Sequence, residues 1–454
     1  MLPGLTLPAS LAGLLGSLRP VFTGPSFRTF CGLVAGLAGQ VRRRTVCGML
    51  LGAGLSRCWP HDRAHYFFAR AGWDLDQLGV AVARLVVALL VPAGAAVTVA
   101  VDDSVFPRCG RTVFGAAWQH DGSSAARDKL SFGTCFVTAG IVVVLPFSSR
   151  PWCLPVLARL HVPGKGKAAG KARKRDAAPA SAVSVAAALV ALLAGAFPGR
   201  RIDVVADAHY HGPAIKDLPP GVTWTTRLPR NAVLFDLAPP RVRKPGRPPR
   251  KGPRLGTAAD LAAAASWTPA RVRAYGRGQD QDLAEITCLW YGCLDTITVR
   301  VILARGPRGT LALVTTDLDT PAPALTERYA GRREIEQAFF DARQVLGAGE
   351  ARTRTRRAVQ RTVPFALLVH TLVITWYARH GHDPADIASR RASQPWYQSK
   401  TEPAFEDMLT KLRRVLICAR ISGGSAAQPT PEQIIAVQAA WHAAAAYLRN
   451  TRTE

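Results

Sequence analysis

The stretch YAGRREIEQAFFDAR, residues 329–343, gathers side chains suited to phosphate or metal chemistry. At roughly 100° per residue on a helix, Arg332 falls about −60°, Glu336 about −20° and Arg343 about −40° from Tyr329, so the four share an arc of about 60°. Phe340 lies close to that arc, and Ile335, Phe339 and Leu346 extend an apolar strip beside it. Surface helices ordinarily turn their charges away from the core. Here a carboxylate flanked by cations runs along the apolar edge, as expected of a helix that carries one carboxylate into a site. The ordinary alternative is a solvated face with an Arg332–Glu336 pair at i,i+4.

Two further carboxylates stand at the ends of strand-like runs: Asp103 in VTVAVDDS, residues 97–104, and Asp207 in IDVVAD, residues 202–207. Three carboxylates from separate elements are a common way to hold hard divalent cations, Mg²⁺ or Mn²⁺. Two such ions about 3.5–4 Å apart serve phosphoryl transfer, one activating the attacking oxygen and the other stabilising the leaving one. Strand alternation puts Val97, Val99, Val101 and Asp103 on one face and Asp102 on the other, without saying which face looks into a site. Asp102 fits a turn cap or a group that supports a ligand from behind.

The chain that must position these groups has 454 residues, enough for two or three domains with real cores. It is 48% hydrophobic, which excludes a disordered tail, and its net charge of +27 points to a polyanion partner, most often nucleic acid, with a membrane surface the other usual candidate. No segment reads as membrane-spanning: Val185–Phe197 is too short, and Arg84 and Pro92 interrupt 79–101. Residues 363–378 read as a buried helix with Pro364 in its first turn. The N-terminus lacks the basic start of a secretory signal, and the nine cysteines form no paired framework, so a reduced, intracellular protein is expected.

Residues 1–95 read as a helical region with basic loops that could touch DNA, and 96–237 as the first part of an α/β core. Within it FGTCFVTAGIVVVLPF, residues 132–147, reads as two strands around Ala139-Gly140, followed by a Gly/Lys/Arg loop at 164–175 and a helix at 181–197. A basic linker and strand-rich segment span 238–318, the rest of the core with the Glu336 helix spans 319–380, and a linker at 381–395 opens a helical region over 381–454. KPGRPPRKG, residues 244–252, has the Gly-Arg-Pro core of a minor-groove hook, which makes Lys244 and Arg247 candidate DNA contacts as well as parts of a plain basic linker. Trp224 and Trp290 are candidate stacking residues for an unpaired base or ordinary core residues, and His209 and His211 lie just after Asp207.

Y329-x2-R332-x3-E336-x6-R343 resembles the Y-R-E-K signature of DDE insertion-sequence transposases, with Arg in place of the final Lys. VDDS resembles that family's first-Asp strand, usually D-T, which favours Asp103 over Asp102, and VVADAHY resembles its second-Asp strand. WYQSKTEPAFEDMLTKLRR, residues 396–414, is similar to the C-terminal helix of such proteins. The resemblance covers roughly residues 30–420 and implies a ribonuclease-H-like mixed sheet flanked by helices, with a β-rich insertion between Asp207 and Glu336. It implies that Asp103, Asp207 and Glu336 bind two Mg²⁺ (or Mn²⁺), and that water and then a freed 3′-OH attack phosphodiesters at element ends. Tyr329, Arg332 and Arg343 would contact phosphates beside the cut; the Arg at 343 keeps charge but changes donor geometry. The implied partners are double-stranded DNA at element ends and target, held by a homodimer on the nucleoid of a bacterial cytoplasm and not by a membrane. A nuclease of the same fold without strand transfer, or a DNA-binding relic without chemistry, are the alternatives.

Overall fold

The computed structural model describes residues 5–41, 44–110, 112–121, 129–162, 180–240, 248–274, 276–306, 309–422 and 431–432. Lys244 and Arg247, the 164–175 segment and most of the alanine-rich C-terminal stretch therefore lie outside the described residues.

Val97–Pro107 (β1) is the central strand. Its β-branched run is buried on both faces, with Val97, Val99, Ala100 and Val101 at most 1% exposed, which demands layers above and below it. On one side it pairs antiparallel with Leu130–Val144 (β3), which also pairs with the short Ala117–His120 (β2) and with Pro151–His161 (β4). On the other side it pairs parallel with Ile202–Ala206 (β5), which pairs parallel with Val222–Arg227 (β6). The core order is thus β4-β3-β1-β5-β6. Leu234–Phe235 (β7), Arg254–Gly256 (β8), Thr268–Ala274 (β9), Arg277–Leu289 (β10), Thr298–Gly306 (β11) and Gly309–Thr315 (β12) extend the same sheet beyond β6, joined through the antiparallel β6–β12 pair. This 12-stranded mixed sheet flanked by helices agrees with the ribonuclease-H-like α/β expectation, including the β-rich segment between Asp207 and Glu336.

Five helices precede the sheet: Ala9–Gly16 (α1), Gly24–Gly39 (α2), Val46–Gly52 (α3), His61–Ala69 (α4) and Leu75–Leu90 (α5). Helices α2 and α3 touch backbone to backbone; a Cβ on Gly36 would sit 1.9 Å from the Met49 carbonyl oxygen, so only glycine fits there. Ala182–Ala196 (α6) connects β4 to β5, Ala258–Ala264 (α7) and Tyr291–Leu294 (α8) punctuate the β-rich segment, and Ala322–Ala330 (α9) and Glu334–Gln344 (α10) follow it. Arg356–Trp376 (α11) is the core helix, buried at nearly every position from Ala358 onward. It is long and apolar enough to cross a membrane, but its apolar window is 94% enclosed by the protein, as a core helix is. Buried Arg361 on α11 donates to the carbonyls of Phe67, Phe68, Ala71 and Trp73, tying α11 to the α4–α5 turn. Ala385–Ser393 (α12) and Phe405–Ser422 (α13) follow, and Arg413 of α13 donates to the carbonyls of Ala38 (2.8 Å) and Gln40 (3.1 Å), capping α2.

Three local expectations are corrected. Residues 132–144 belong to one long strand, and 145–147 lie beyond its end, because Ala139-Gly140 accommodates a bulge in the β3–β4 pairing and not a turn. The 381–395 linker contains α12. Pro364 lies inside α11, which begins earlier, at Arg356, because the basic stretch before the apolar run is already helical. All nine cysteines are free.

Candidate active site at the β1–β5 edge and the Glu336 helix

The 329–343 stripe is not one continuous α-helix. Tyr329 lies in the last turn of α9, Gly331–Arg333 is a 3₁₀ turn, and Glu336 sits in the first turn of α10. The stripe survives because residues three apart eclipse across a 3₁₀ turn, while Arg332 and Glu336 keep their i,i+4 relation. Arg332 is hydrogen-bonded to the Tyr329 hydroxyl, and its Nη2 donates to Glu336 Oε1 at 2.8 Å. Two acids in the first turn, Glu334 and Glu336, also suit the positive end of the helix dipole.

Arg332 reaches across to the sheet as well, and there its partner is Asp102. Its Nη1 donates to Asp102 Oδ2 at 2.9 Å, so one guanidinium bridges Asp102 and Glu336. Asp207 follows β5: the parallel β1–β5 ladder ends with Val101 opposite Ala206, and Asp102 and Asp207 are the next residue on each strand. Asp207 acts electrostatically on both Tyr329 and Arg332. Its backbone carbonyl is held by the Thr226 hydroxyl at 2.6 Å and the Tyr210 amide at 2.9 Å, which fixes the strand end that presents it.

Asp103 faces the other way. Its Oδ1 accepts from the Tyr210 hydroxyl at 2.7 Å and its Oδ2 from the Cys135 thiol at 3.2 Å. The structure therefore brings Asp102, Asp207, Glu336, Arg332 and Tyr329 together, and sets Asp103 behind them against Tyr210 and Cys135. Strand alternation separates the two aspartates; the contacts of Arg332, which the sequence does not display, say that Asp102 is the one on the side of Glu336.

Burial is the largest influence on the charged groups of the site. Burial, opposed by Arg332 and aided by neighbouring Asp103, pushes the Asp102 carboxyl up to about 7. Burial also works against the Arg332 charge, but Asp102, Tyr329, Glu336 and Asp207 together raise its hold on its proton. Burial raises the Tyr329 hydroxyl, with Arg332 opposing. Among the described residues, no three acidic, histidine or cysteine side chains stand ready as a metal-ligand group. Arg332 is the partner of two of the carboxylates.

Arg343 lies one groove further along α10. It donates to the carbonyls of Phe339 and Val105, both at 3.4 Å, and packs 5.9 Å over the Phe106 ring. Burial lowers its pKa, with Asp121 opposing. Trp224 and Trp290 are core residues, 2% and 6% exposed; the Trp224 indole donates to the Tyr210 carbonyl at 3.1 Å. His209 is exposed, while His211 lies against the Ala208 carbonyl and the Trp290 ring.

Residues 17–292, more than half of the chain, match the family model described as DDE superfamily endonuclease. The matched span contains Asp102, Asp103 and Asp207 and ends before Glu336. No curated protein matches the chain.

Proposed function

This chain belongs to the DDE superfamily endonucleases, and from that premise we propose that it is a transposase, cleaving and joining DNA phosphodiesters at the ends of an insertion sequence. A DDE endonuclease implies a DNA substrate, and endonucleases of this superfamily generally use divalent metal ions.

The observation that carries the reading is the unbalanced cluster in which a single guanidinium serves Asp102 and Glu336 beside Asp207. Its donors are hard carboxylate oxygens, the ligand chemistry that suits divalent metal. In this reading Asp102, Asp207 and Glu336 hold the metal, with Asp103 in support behind Asp102. Bound there, the metal would activate the attacking hydroxyl and stabilise the leaving oxygen. Tyr210 holds Asp103 and so steadies the strand end that presents Asp102. Arg332, released from the carboxylates, and Tyr329 clamp the phosphate next to the cut, as fixed cations and donors do for phosphoryl transfer. Arg343 extends that clamp along α10. Lys244 and Arg247 contribute a basic arm to the same DNA, and two copies of the chain hold the two ends.

The test is a Mg²⁺-dependent cleavage and joining assay on DNA flanking the protein's own gene. Wild type is expected to cut and join at defined ends. Asp102→Asn, Asp207→Asn and Glu336→Gln are each expected to lose chemistry while keeping DNA binding. Asp103→Asn is expected to lose about 10–100-fold, the scale of a group that orients a ligand. Cutting without joining would make the protein a nuclease only. Binding with no cutting, unaffected by the substitutions, would overturn the catalytic reading. Loss at Asp103 with activity kept at Asp102 would exchange the roles of the two aspartates.

A further inference from the structure

Outside the carboxylate site, α3, α4 and the turn between them share a group of cysteines and histidines. Cys47, Cys58, His61 and His65 follow one another as C-x10-C-x2-H-x3-H, and all four are exposed. They sit on a fixed frame. Val46, Met49 and Leu50 of α3 and Ala64, Phe67 and Phe68 of α4 are buried, so both helices are anchored by other positions. In the turn, the Cys58 and Trp59 amides both donate to the Leu55 carbonyl, at 2.9 and 2.8 Å, and the Arg63 guanidinium lies 3.9 Å over the Trp59 ring.

The contacts within this group suit metal ligands. Cys47 Sγ lies 3.3 Å from His65 Nε2. Tetrahedral Zn²⁺, with Zn–S about 2.3 Å and Zn–N about 2.0 Å, holds a sulfur and a nitrogen about 3.5 Å apart. His61 and His65 are four residues apart on one helix, the spacing at which two imidazoles share a zinc ion, and their ring centroids are 6.1 Å apart. His61 Nε2 is 2.8 Å from Asp62 Oδ1. A carboxylate that accepts from one ring nitrogen leaves the other for a metal and orients the ring, the usual support of a zinc-bound histidine. A single thiol–imidazole hydrogen bond accounts for the Cys47–His65 contact alone; it gives no account of a second histidine and a second cysteine at ligand spacing. The four donors do not already enclose one point. Because their side chains are exposed, rotamer changes suffice to gather them.

We propose that Cys47, Cys58, His61 and His65 bind one Zn²⁺, which clips α3 to α4 across the turn, with Asp62 orienting His61. Two thiolates and two imidazoles select a borderline-soft ion over Mg²⁺, which prefers hard oxygen ligands. The clip is structural, since four protein donors leave no open position for a substrate.

The experiment titrates Zn²⁺ into the full chain, reduced and stripped of metal, against a chromophoric chelator, with excess Mg²⁺ present to hold the carboxylate site. Wild type is expected to take up one Zn²⁺ per chain. With Co²⁺ in its place, it should show the sulfur-to-metal charge-transfer absorption of thiolate ligation. Cys47→Ser, Cys58→Ser, His61→Ala and His65→Ala are each expected to bind about 100-fold more weakly, and Asp62→Asn about tenfold, the two ends of the range for groups that support a metal ligand. The substituted residues are exposed, so unfolding midpoints without metal should match wild type. Zn²⁺ should then raise the midpoint of wild type and leave those of the four ligand variants where they are. No uptake by wild type, or wild-type affinity retained in any of the four ligand variants, would overturn the proposal. Binding is read without DNA, so neither result depends on the endonuclease reading.

Discussion

Two arginine–carboxylate clusters lie at opposite ends of the same central strands, built from the same residue types with opposite electrostatics. At the start of β5, Arg201 donates to Asp203 at 2.7 Å and to Asp317, and Arg328 donates to Asp317 at 2.8 Å and pairs with Asp203 at 3.2 Å. The Thr223 hydroxyl and the Asp319 and Thr320 amides supply further donors. Two cations meet two anions, and although burial would raise the Asp317 carboxyl, Arg328, Thr320 and Arg201 hold it at about 2. At the other end, one guanidinium serves Asp102 and Glu336 with Asp207 close by, and the Asp102 carboxyl rises to about 7. A balanced cluster locks β5, the turn after β12 and α9 together. In the other cluster one guanidinium serves two carboxylates, and at Asp102 burial outweighs it.

Four experiments would break or sharpen this contrast. Asp102→Asn should lower metal-dependent cleavage by about 10³-fold, equivalent to about 4 kcal/mol of barrier, and leave the unfolding midpoint near wild type; a matching fall in stability would make the cluster structural. Asp317→Asn should do the reverse. Removing one partner from a fully buried acid that holds two arginines is expected to cost about 3 kcal/mol in urea unfolding, with cleavage per folded molecule unchanged.

The pH dependence of stability should come next in size. The Asp317 carboxyl is depressed in the folded protein, so its contribution is fully present above the unfolded value near 3.8 and is lost as pH falls through about 2. Urea unfolding between those limits should show a decline on the order of 2 kcal/mol that Asp317→Asn abolishes. The smallest effect is expected at Arg332. Its guanidinium competes with metal for Asp102 and Glu336, so Arg332→Ala should tighten Mn²⁺ binding by about tenfold in calorimetry, equivalent to about 1.4 kcal/mol, even as it weakens DNA cleavage. Weaker Mn²⁺ binding would show that Arg332 organises the carboxylates and does not stand in for the metal.

Much of the site was legible along the chain because its signals are local. The spacing of Tyr329, Arg332, Glu336 and Arg343 needs only helical periodicity, and the 3₁₀ turn at Gly331–Arg333 left Arg332 beside both Tyr329 and Glu336. Cys47 and His65 were visible only as scattered residues of the N-terminal helices; their contact depends on α3 packing against α4. Ala139-Gly140 looked like a turn because glycine permits both a turn and a bulge, and only pairing with β4 selects the bulge.

The sequence by itself determined which residues are carboxylates at strand ends, which helix carries the third, and that Asp102 and Asp103 point to opposite faces, because side-chain direction along a strand or helix follows from backbone geometry within a few residues. Which aspartate stands on the side of Glu336 was decided only by the tertiary structure. That choice depends on the single guanidinium of Arg332 folding over one side of the sheet, which is not written in the local spacing of the chain.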